Sequence, residues 1–342
     1  MKNILKSLPK IELHRHLEGS IPIDLVLKWS QKYNLPLPMK DPRFRGDDKE
    51  LRRDDIQAKT PMPFSTVLER LFYQQRCFQN LESVETLTYE VLKSIAQDNI
   101  KLLELRFSPG FMAEPQNLSF DGIMEAVLSA KEKAQKDFEI EVGYLLISSR
   151  DFGIATCQET IDLALKWKDH IVGIDLAGDE TKFPDTLFEK PFQKAKAAGL
   201  NITVHTAEVT PAKNILTAHQ KLGAQRIGHG VQAATDETVI KYLIENKIPL
   251  ELCPTSNFIT EAVSSLNAHP LKNLLKRGVK VTINSDDPTL FGTTLTHEYE
   301  ICVEKLGMSL AQIKQTILNS FEASFLSRAQ KKRMWEKYFQ TF

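Results

Sequence analysis

Short apolar runs alternate with longer amphipathic stretches along almost the whole chain. The runs are brief and rich in Val, Ile and Leu, the pattern of strands buried on both faces. Eight are read: Ile11–His14, Leu102–Phe107, Glu141–Ile147, Ile171–Leu176, Asn201–His205, Gln225–Gly228, Ile248–Cys253 and Val279–Asn284. Between them apolar residues recur every three or four positions, as over Asp121–Lys136 and Thr235–Glu245, which predicts helices. Eight strand–helix repeats without a second compositional zone predict an α/β fold, a closed (β/α)8 barrel forming one domain over residues 1–342.

The spacing is uneven in one place. Roughly 90 residues separate His14 from Leu102, against roughly 20–35 between later strands, where one crossover helix suffices. The excess predicts an insertion over about 20–100, after the first strand. Ile23, Val26, Leu27, Val67, Leu71 and Phe72 stand at helical steps within it. Its middle, Met39–Thr60, carries Arg43, Arg45, Asp47, Asp48, Lys49, Arg52, Arg53, Asp54 and Asp55. Such charge density reads first as a solvated, mobile surface loop. Insertions after barrel strands also stand on the catalytic face, which places this one to form part of a lid.

Charge narrows the partners. Lys+Arg and Asp+Glu both number 44, so no basic excess exists to hold a nucleic-acid backbone, and a small or neutral ligand is favoured. Cys77, Cys157, Cys253 and Cys302 form no C-x-x-C pair, which argues against a thiolate zinc site and for buried, reduced thiols. Lys2, Lys6 and Lys10 precede no apolar leader segment, and no run approaches the ~20 apolar residues of a membrane span. A cytoplasmic location, away from membranes, is expected.

Candidate chemistry gathers at strand ends. His14 and His16 close the first strand; residues i and i+2 share a side, so both imidazoles can reach one ion while Arg15 points away. His205 closes the fifth run, His229 follows the sixth, and Asp286 and Asp287 follow the eighth. The C-terminal ends of barrel strands form the catalytic face. Three histidines and a carboxylate suit zinc with a position left for water, whose pKa the metal lowers to about 7. Such a hydrolase needs a proton donor, for which Glu208 stands three residues past His205, and a base, for which His229 or Asp287 qualifies. Two other strand ends draw notice. Asp175–Glu180 includes Gly178, which permits a turn or a close ligand; Leu252–Asn257 includes Cys253, read as packing because nothing near it favours a thiolate. Arg106, on a strand, reads as an ion-pair partner.

Taken together these segments resemble the adenosine deaminase family, mononuclear zinc members of the amidohydrolase barrels. The resemblance rests on His-Arg-His-Leu-Glu-Gly-Ser (14–20), Leu-Arg-Phe-Ser-Pro-Gly (105–110), Asp-Leu-Ala-Gly-Asp-Glu (175–180), His-Thr-Ala-Glu (205–208), Arg-Ile-Gly-His-Gly (226–230) and Asn-Ser-Asp-Asp-Pro (284–288). It implies deamination of adenosine and 2′-deoxyadenosine to inosine and 2′-deoxyinosine, a purine-salvage reaction. His14, His16, His205 and Asp286 would hold one zinc ion. Glu208 would protonate purine N1, and His229 would orient or deprotonate the water. Asp287 would meet N7 and the Gly178 N–H would meet N3, with His16 and Glu18 also facing the substrate.

Two positions depart from the family. Ala207 stands where a glycine is usual, which is expected to alter pocket shape or rate. Glu18 stands where an aspartate usually meets the ribose 5′ side. The alternative reading is therefore a deaminase of another aminopurine: adenine, N6-methyl-AMP or a 5′-modified adenosine. A binuclear amidohydrolase is disfavoured by the absence of a lysine at the fourth strand end, and the H-x-E and P-C-x-x-C nucleic-acid deaminases by their missing motifs. A nucleoside-binding protein without activity is disfavoured by the full set of ligands and proton donors.

Overall fold

The computed structural model describes residues 1–36 and 51–340. Its eight strands are β1 Lys10–His16, β2 Ile100–Phe107, β3 Glu141–Ser149, β4 Gly173–Ala177, β5 Ile202–Thr206, β6 Arg226–His229, β7 Leu250–Leu252 and β8 Val281–Ile283. Each lies parallel to the next in chain order. The seam closes just beyond β8, where the Asp286 N–H donates to the His14 carbonyl (3.0 Å) and the His16 N–H donates to the Asp286 carbonyl (2.9 Å). Every apolar run expected from the sequence is a strand of this (β/α)8 barrel. The seventh starts later than its run because Pro249 has no N–H to give a ladder.

The helices begin where their caps are. Ser119 accepts the Gly122 N–H ahead of Phe120–Asp137. Asp236 accepts two N–H groups ahead of Glu237–Glu245, so that helix starts two residues later than its periodicity suggested. After β1 come Ile23–Lys32, Arg53–Ile56 and Phe64–Gln75, and then the crossover helix Leu81–Gln97, which packs along Phe120–Asp137. The expected insertion is thus helical. Of the charged stretch Met39–Thr60, residues 39–50 lie outside the described residues. Its end is not a solvated loop: Ile56 and Ala58 are fully buried, and the Ala58 N–H donates to the Leu290 carbonyl at 2.7 Å. Apolar side chains among the charges drive that docking.

The inside of the barrel is polar. Successive strand residues face opposite ways, and the inward set includes Glu12, Glu104, Arg106, Asp175, Arg226 and Glu251, all buried. Arg106 spans from β2 to Asp175 on β4 and Glu251 on β7, at 2.7 Å each. Arg226 pairs with Glu251 at 2.6 Å and Glu104 at 2.7 Å. Arg106 is therefore an ion-pair partner, as its place on a strand suggested. All four cysteines are buried and unpaired, and burial pushes the Cys253 thiol well up, against any thiolate role. No helix among the described residues is long and apolar enough to cross a membrane.

Candidate active site

Two carboxylates of that interior network reach upward to histidines. Glu251 Oε2 lies 2.9 Å from His14 Nδ1, and Asp175 lies 3.1 Å from His205 Nδ1. Burial opposes ionisation of both acids, but Arg106 and Arg226 hold Glu251, and His205 and Arg106 hold Asp175, below the usual carboxylate range. An ionised carboxylate only accepts, so each Nδ1 carries the proton and each Nε2 presents a lone pair. Among the described residues His14 Nε2 has no hydrogen-bond partner. It sits 3.2 Å from Asp286 Oδ1, while His16 Nε2 lies 3.1 Å from the same oxygen and 3.2 Å from His205 Nε2. Two lone pairs and a carboxylate converging on one space, with His16 beside them, need a cation. Nitrogen and oxygen donors without thiolate suit zinc.

His229 also stands within 4.8 Å of the His14, His205 and Asp286 donor atoms. Its hydrogen bonds separate it from them. Asn257 Nδ2–H donates to His229 Nδ1 at 3.1 Å, leaving the proton on Nε2. That Nε2–H faces Glu208 Oε2 at 3.6 Å and Asp286 Oδ2 at 3.9 Å. His229 is arranged to donate, and His14, His16, His205 and Asp286 remain the set suited to bind a metal.

The remaining expected residues share one cavity above this cluster. It spans about 880 Å³ with its open mouth included. Glu18, Gly178, Glu208, His229 and Asp287 line it, and Phe64, Val67, Leu68, Leu71 and Phe72 of the insertion form an apolar wall. Burial, reinforced by Asp286, pushes the Glu208 carboxyl up to about 7. Burial raises Asp287 to about 8 against the pull of His16. Glu18 is raised by burial to about 7; its Oε1 accepts the Ser108 N–H at 2.7 Å, and among the described residues its Oε2 has no partner.

A scan with family models matches residues 9–340 to the adenosine deaminase model. An adenosine deaminase from Vibrio parahaemolyticus is 39% identical over 334 residues, spanning 98% of both chains. The chain belongs to the adenosine deaminase family. Among solved structures, adenine deaminase from Arthrobacter aurescens superposes with a TM-score of 0.88 at 27% identity, covering 98% of this chain and 99% of that one. The N6-methyl-AMP deaminase of Arabidopsis thaliana gives 0.84 at 26%, covering 99% and 98%.

Against the family pattern, Ala207 now has a physical account. It adopts φ +53°, the left-handed region where glycine is at ease and a Cβ costs roughly 1–2 kcal/mol. It is fully buried and not among the residues lining the cavity, which speaks against an altered pocket shape, one of the two effects expected from sequence. Glu180 clamps the strained turn. Its carboxylate accepts the N–H groups of Ala207, Glu208, Val209 and Thr210 at 2.8–3.2 Å and the Thr210 hydroxyl at 2.6 Å. Sequence reasoning gave Glu180 no role, although it lies in a motif that was singled out. His229 (φ +58°) and Asp286 (φ +61°) are held in the same backbone region, the strain common at functional sites. Gly19 was also passed over: a Cβ there would lie 1.8 Å from Asp287 Oδ1.

Proposed function

We propose that the protein deaminates adenosine and 2′-deoxyadenosine hydrolytically, giving inosine or 2′-deoxyinosine and ammonia, with one zinc ion held by His14, His16, His205 and Asp286. The observation that carries this is the acceptor cluster of His14 Nε2, His205 Nε2 and Asp286 Oδ1, set beside a carboxyl, Glu208, that burial raises to about 7. Zinc in that cluster supplies the acidity that makes water a competent nucleophile at neutral pH. Glu208, protonated, donates to purine N1 and concentrates electron demand at C6. His229 Nε2–H orients the attacking oxygen. Purine N7 is an acceptor, so Asp287 must be protonated to meet it, in keeping with its rise to about 8. The Gly178 N–H is assigned to N3. The insertion wall is read as part of a lid on the same domain, since its Val67 and Leu71 pack in one apolar cluster with Ile259, Leu290 and Phe291 from beyond β7 and β8.

The cavity favours a nucleoside over a 5′-phosphate. Six carboxyl groups and, among the described residues, no lysine or arginine line it. With Glu208 and Asp287 protonated and Asp286 given to the metal, the acids left ionised face a phosphate of close to two negative charges with no lysine or arginine there to pair it. Glu18 Oε2, without a hydrogen-bond partner among the described residues, suits a hydroxyl at the ribose 5′ end. Such a balance of charge, with no basic surplus over the whole chain, also supports a small-molecule partner and not a nucleic acid.

The test is ammonia release by zinc-loaded protein on adenosine, 2′-deoxyadenosine, adenine, AMP, N6-methyl-AMP and 5′-methylthioadenosine, with metal content measured. Adenosine turnover that Glu208→Gln lowers by about 10²–10⁴-fold supports the reading and the acid. Turnover confined to adenine or a phosphorylated substrate would overturn the nucleoside assignment, with Glu18 the first residue to exchange. A Glu208→Gln variant as active as wild type would remove Glu208 from the chemistry.

A further inference from the structure

Glu208 and His229 arrive from different strand ends, yet both rest on one amide. Asn257 lies fully buried in the helix Pro254–Ile259 after β7. Its Nδ2 is 3.1 Å from Glu208 Oε1 and 3.1 Å from His229 Nδ1. Its Oδ1 is 3.3 Å from the Cys253 N–H and 3.2 Å from His269 Nε2. The orientation of the amide is not arbitrary. The Cys253 backbone N–H can only donate, so the atom facing it is the oxygen, and the nitrogen faces Glu208 and His229. His269 agrees: its Nδ1 accepts the Leu271 N–H at 3.2 Å, which leaves the proton on Nε2, aimed at Oδ1. Burial, with His229 nearby, lowers His269 to about 3 and keeps it neutral. Both hydrogens and both lone pairs of Asn257 are then in use.

Two consequences follow for the cavity. Glu208 Oε1 receives the Asn257 N–H and also the Thr260 hydroxyl at 2.8 Å, nearer than that hydroxyl's other acceptor, the Ser256 carbonyl at 3.0 Å. An oxygen accepting two hydrogens is a poor place for a third, so a neutral Glu208 carries its proton on Oε2. His229, accepting at Nδ1, carries its proton on Nε2. Oε2 and Nε2 are the two atoms that face each other at 3.6 Å.

We propose that Asn257 is a positioning residue for the reaction: one amide, locked by His269 and Cys253, that places the Glu208 proton on Oε2 and the His229 proton on Nε2. The inference rests on Glu208 acting as the acid in the deamination proposed above. Exchange to Asp would put an acceptor against His229 Nδ1 and reverse its tautomer; exchange to Ala would leave both groups unassigned.

The experiment uses zinc-loaded, full-length protein. Imidazole ¹⁵N NMR of wild type should show His229, identified by its loss in His229→Gln, with Nδ1 unprotonated and Nε2 protonated, and Asn257→Asp should reverse that pattern. Adenosine kinetics of Asn257→Ala should show kcat lowered by about 10–100-fold, the usual cost of losing such an outer partner, with KM within about threefold. A wild-type His229 protonated on Nδ1 overturns the proposal, and this result requires no variant to fold. An Asn257→Ala protein with wild-type kcat, or one whose loss lies wholly in KM, overturns it too. Wild type inert toward adenosine yet with His229 on Nε2–H would sink the deamination reading and leave the proton placement standing.

Discussion

The cavity has two sides built on different physical terms. Its floor is the strand-end cluster, where buried polar groups are held by named partners: Glu251 on His14, Asp175 on His205, Glu180 under Glu208, Asn257 on His229. Its wall is the apolar helix Phe64–Gln75, whose Leu68, Leu71 and Phe72 are only half-buried. Directional bonds in a closed barrel fix atoms to within tenths of an ångström, as proton transfer demands. Apolar contact tolerates sliding and repacking. Chemistry therefore sits where the fold is over-determined, and selection and access sit where it is not.

Removing the support of the floor should have the largest effect. Arg106→Met leaves Asp175 and Glu251 without their shared cation. Breaking such a buried pair costs about 3–5 kcal/mol, and loosening the acids that orient His14 and His205, two of the proposed metal ligands, should weaken zinc binding by about 10–100-fold. Denaturant unfolding and a zinc competition assay measure these; wild-type values in both would show that the network below the floor is passive. An intermediate effect is expected at the wall. Leu71→Ala removes apolar surface worth about 1–2 kcal/mol of contact, so KM for adenosine should rise up to about tenfold with kcat and Tm nearly constant. A fall in kcat alone would mean that wall and floor are not separable.

A smaller effect is expected in the pH profile. If Glu208 works in its acid form, as proposed, kcat/KM should hold below its pKa and fall as pH rises through about 7. The Thr260 hydroxyl favours the carboxylate and lowers that pKa. Thr260→Val should therefore move the descending limb to higher pH; a shift to lower pH would contradict the assignment. The smallest effect belongs to Ala207→Gly. Relief of left-handed strain, roughly 1–2 kcal/mol, is offset by the entropy that glycine gives the unfolded chain, roughly 0.5–1 kcal/mol. A gain of up to about 1 kcal/mol is expected in thermal unfolding, with KM unchanged because the methyl lies outside the cavity. A changed KM would restore Ala207 to the pocket.

Much of the molecule was legible in the chain. Strands buried on both faces leave continuous apolar runs, and these located all eight. His14 and His16 could be paired by the two-residue period of one strand, and Glu208 with His205 by proximity in sequence. The long gap after β1 announced the insertion, but not that Ala58 would dock on the residues after β8, because a few apolar side chains are lost among many charges. Glu180, Asn257 and His269 were not read as functional. Each acts through a partner at least a dozen residues away; Glu180 and Asn257 end segments that drew notice, but nothing within those segments shows what they hold. Ala207 was noticed for its added methyl; that the position also adopts a left-handed backbone angle, where glycine is at ease, only the structure shows.

Residue type and local period thus carried the barrel and marked out the histidines and acids proposed as metal ligands and proton donor, since these depend on side-chain chemistry and on contacts between near neighbours. Closure of the barrel decided the rest. Joining β1 to the end of β8 sets Asp286 beside His14 and His16, and the inward face of β2, β4 and β7 brings Arg106 between two acids far apart in sequence. Which ring nitrogen bears a proton, and which carboxylate oxygen, follows from hydrogen bonds made across those distances. They exist only once eight strands have closed on one another, so no local pattern records them.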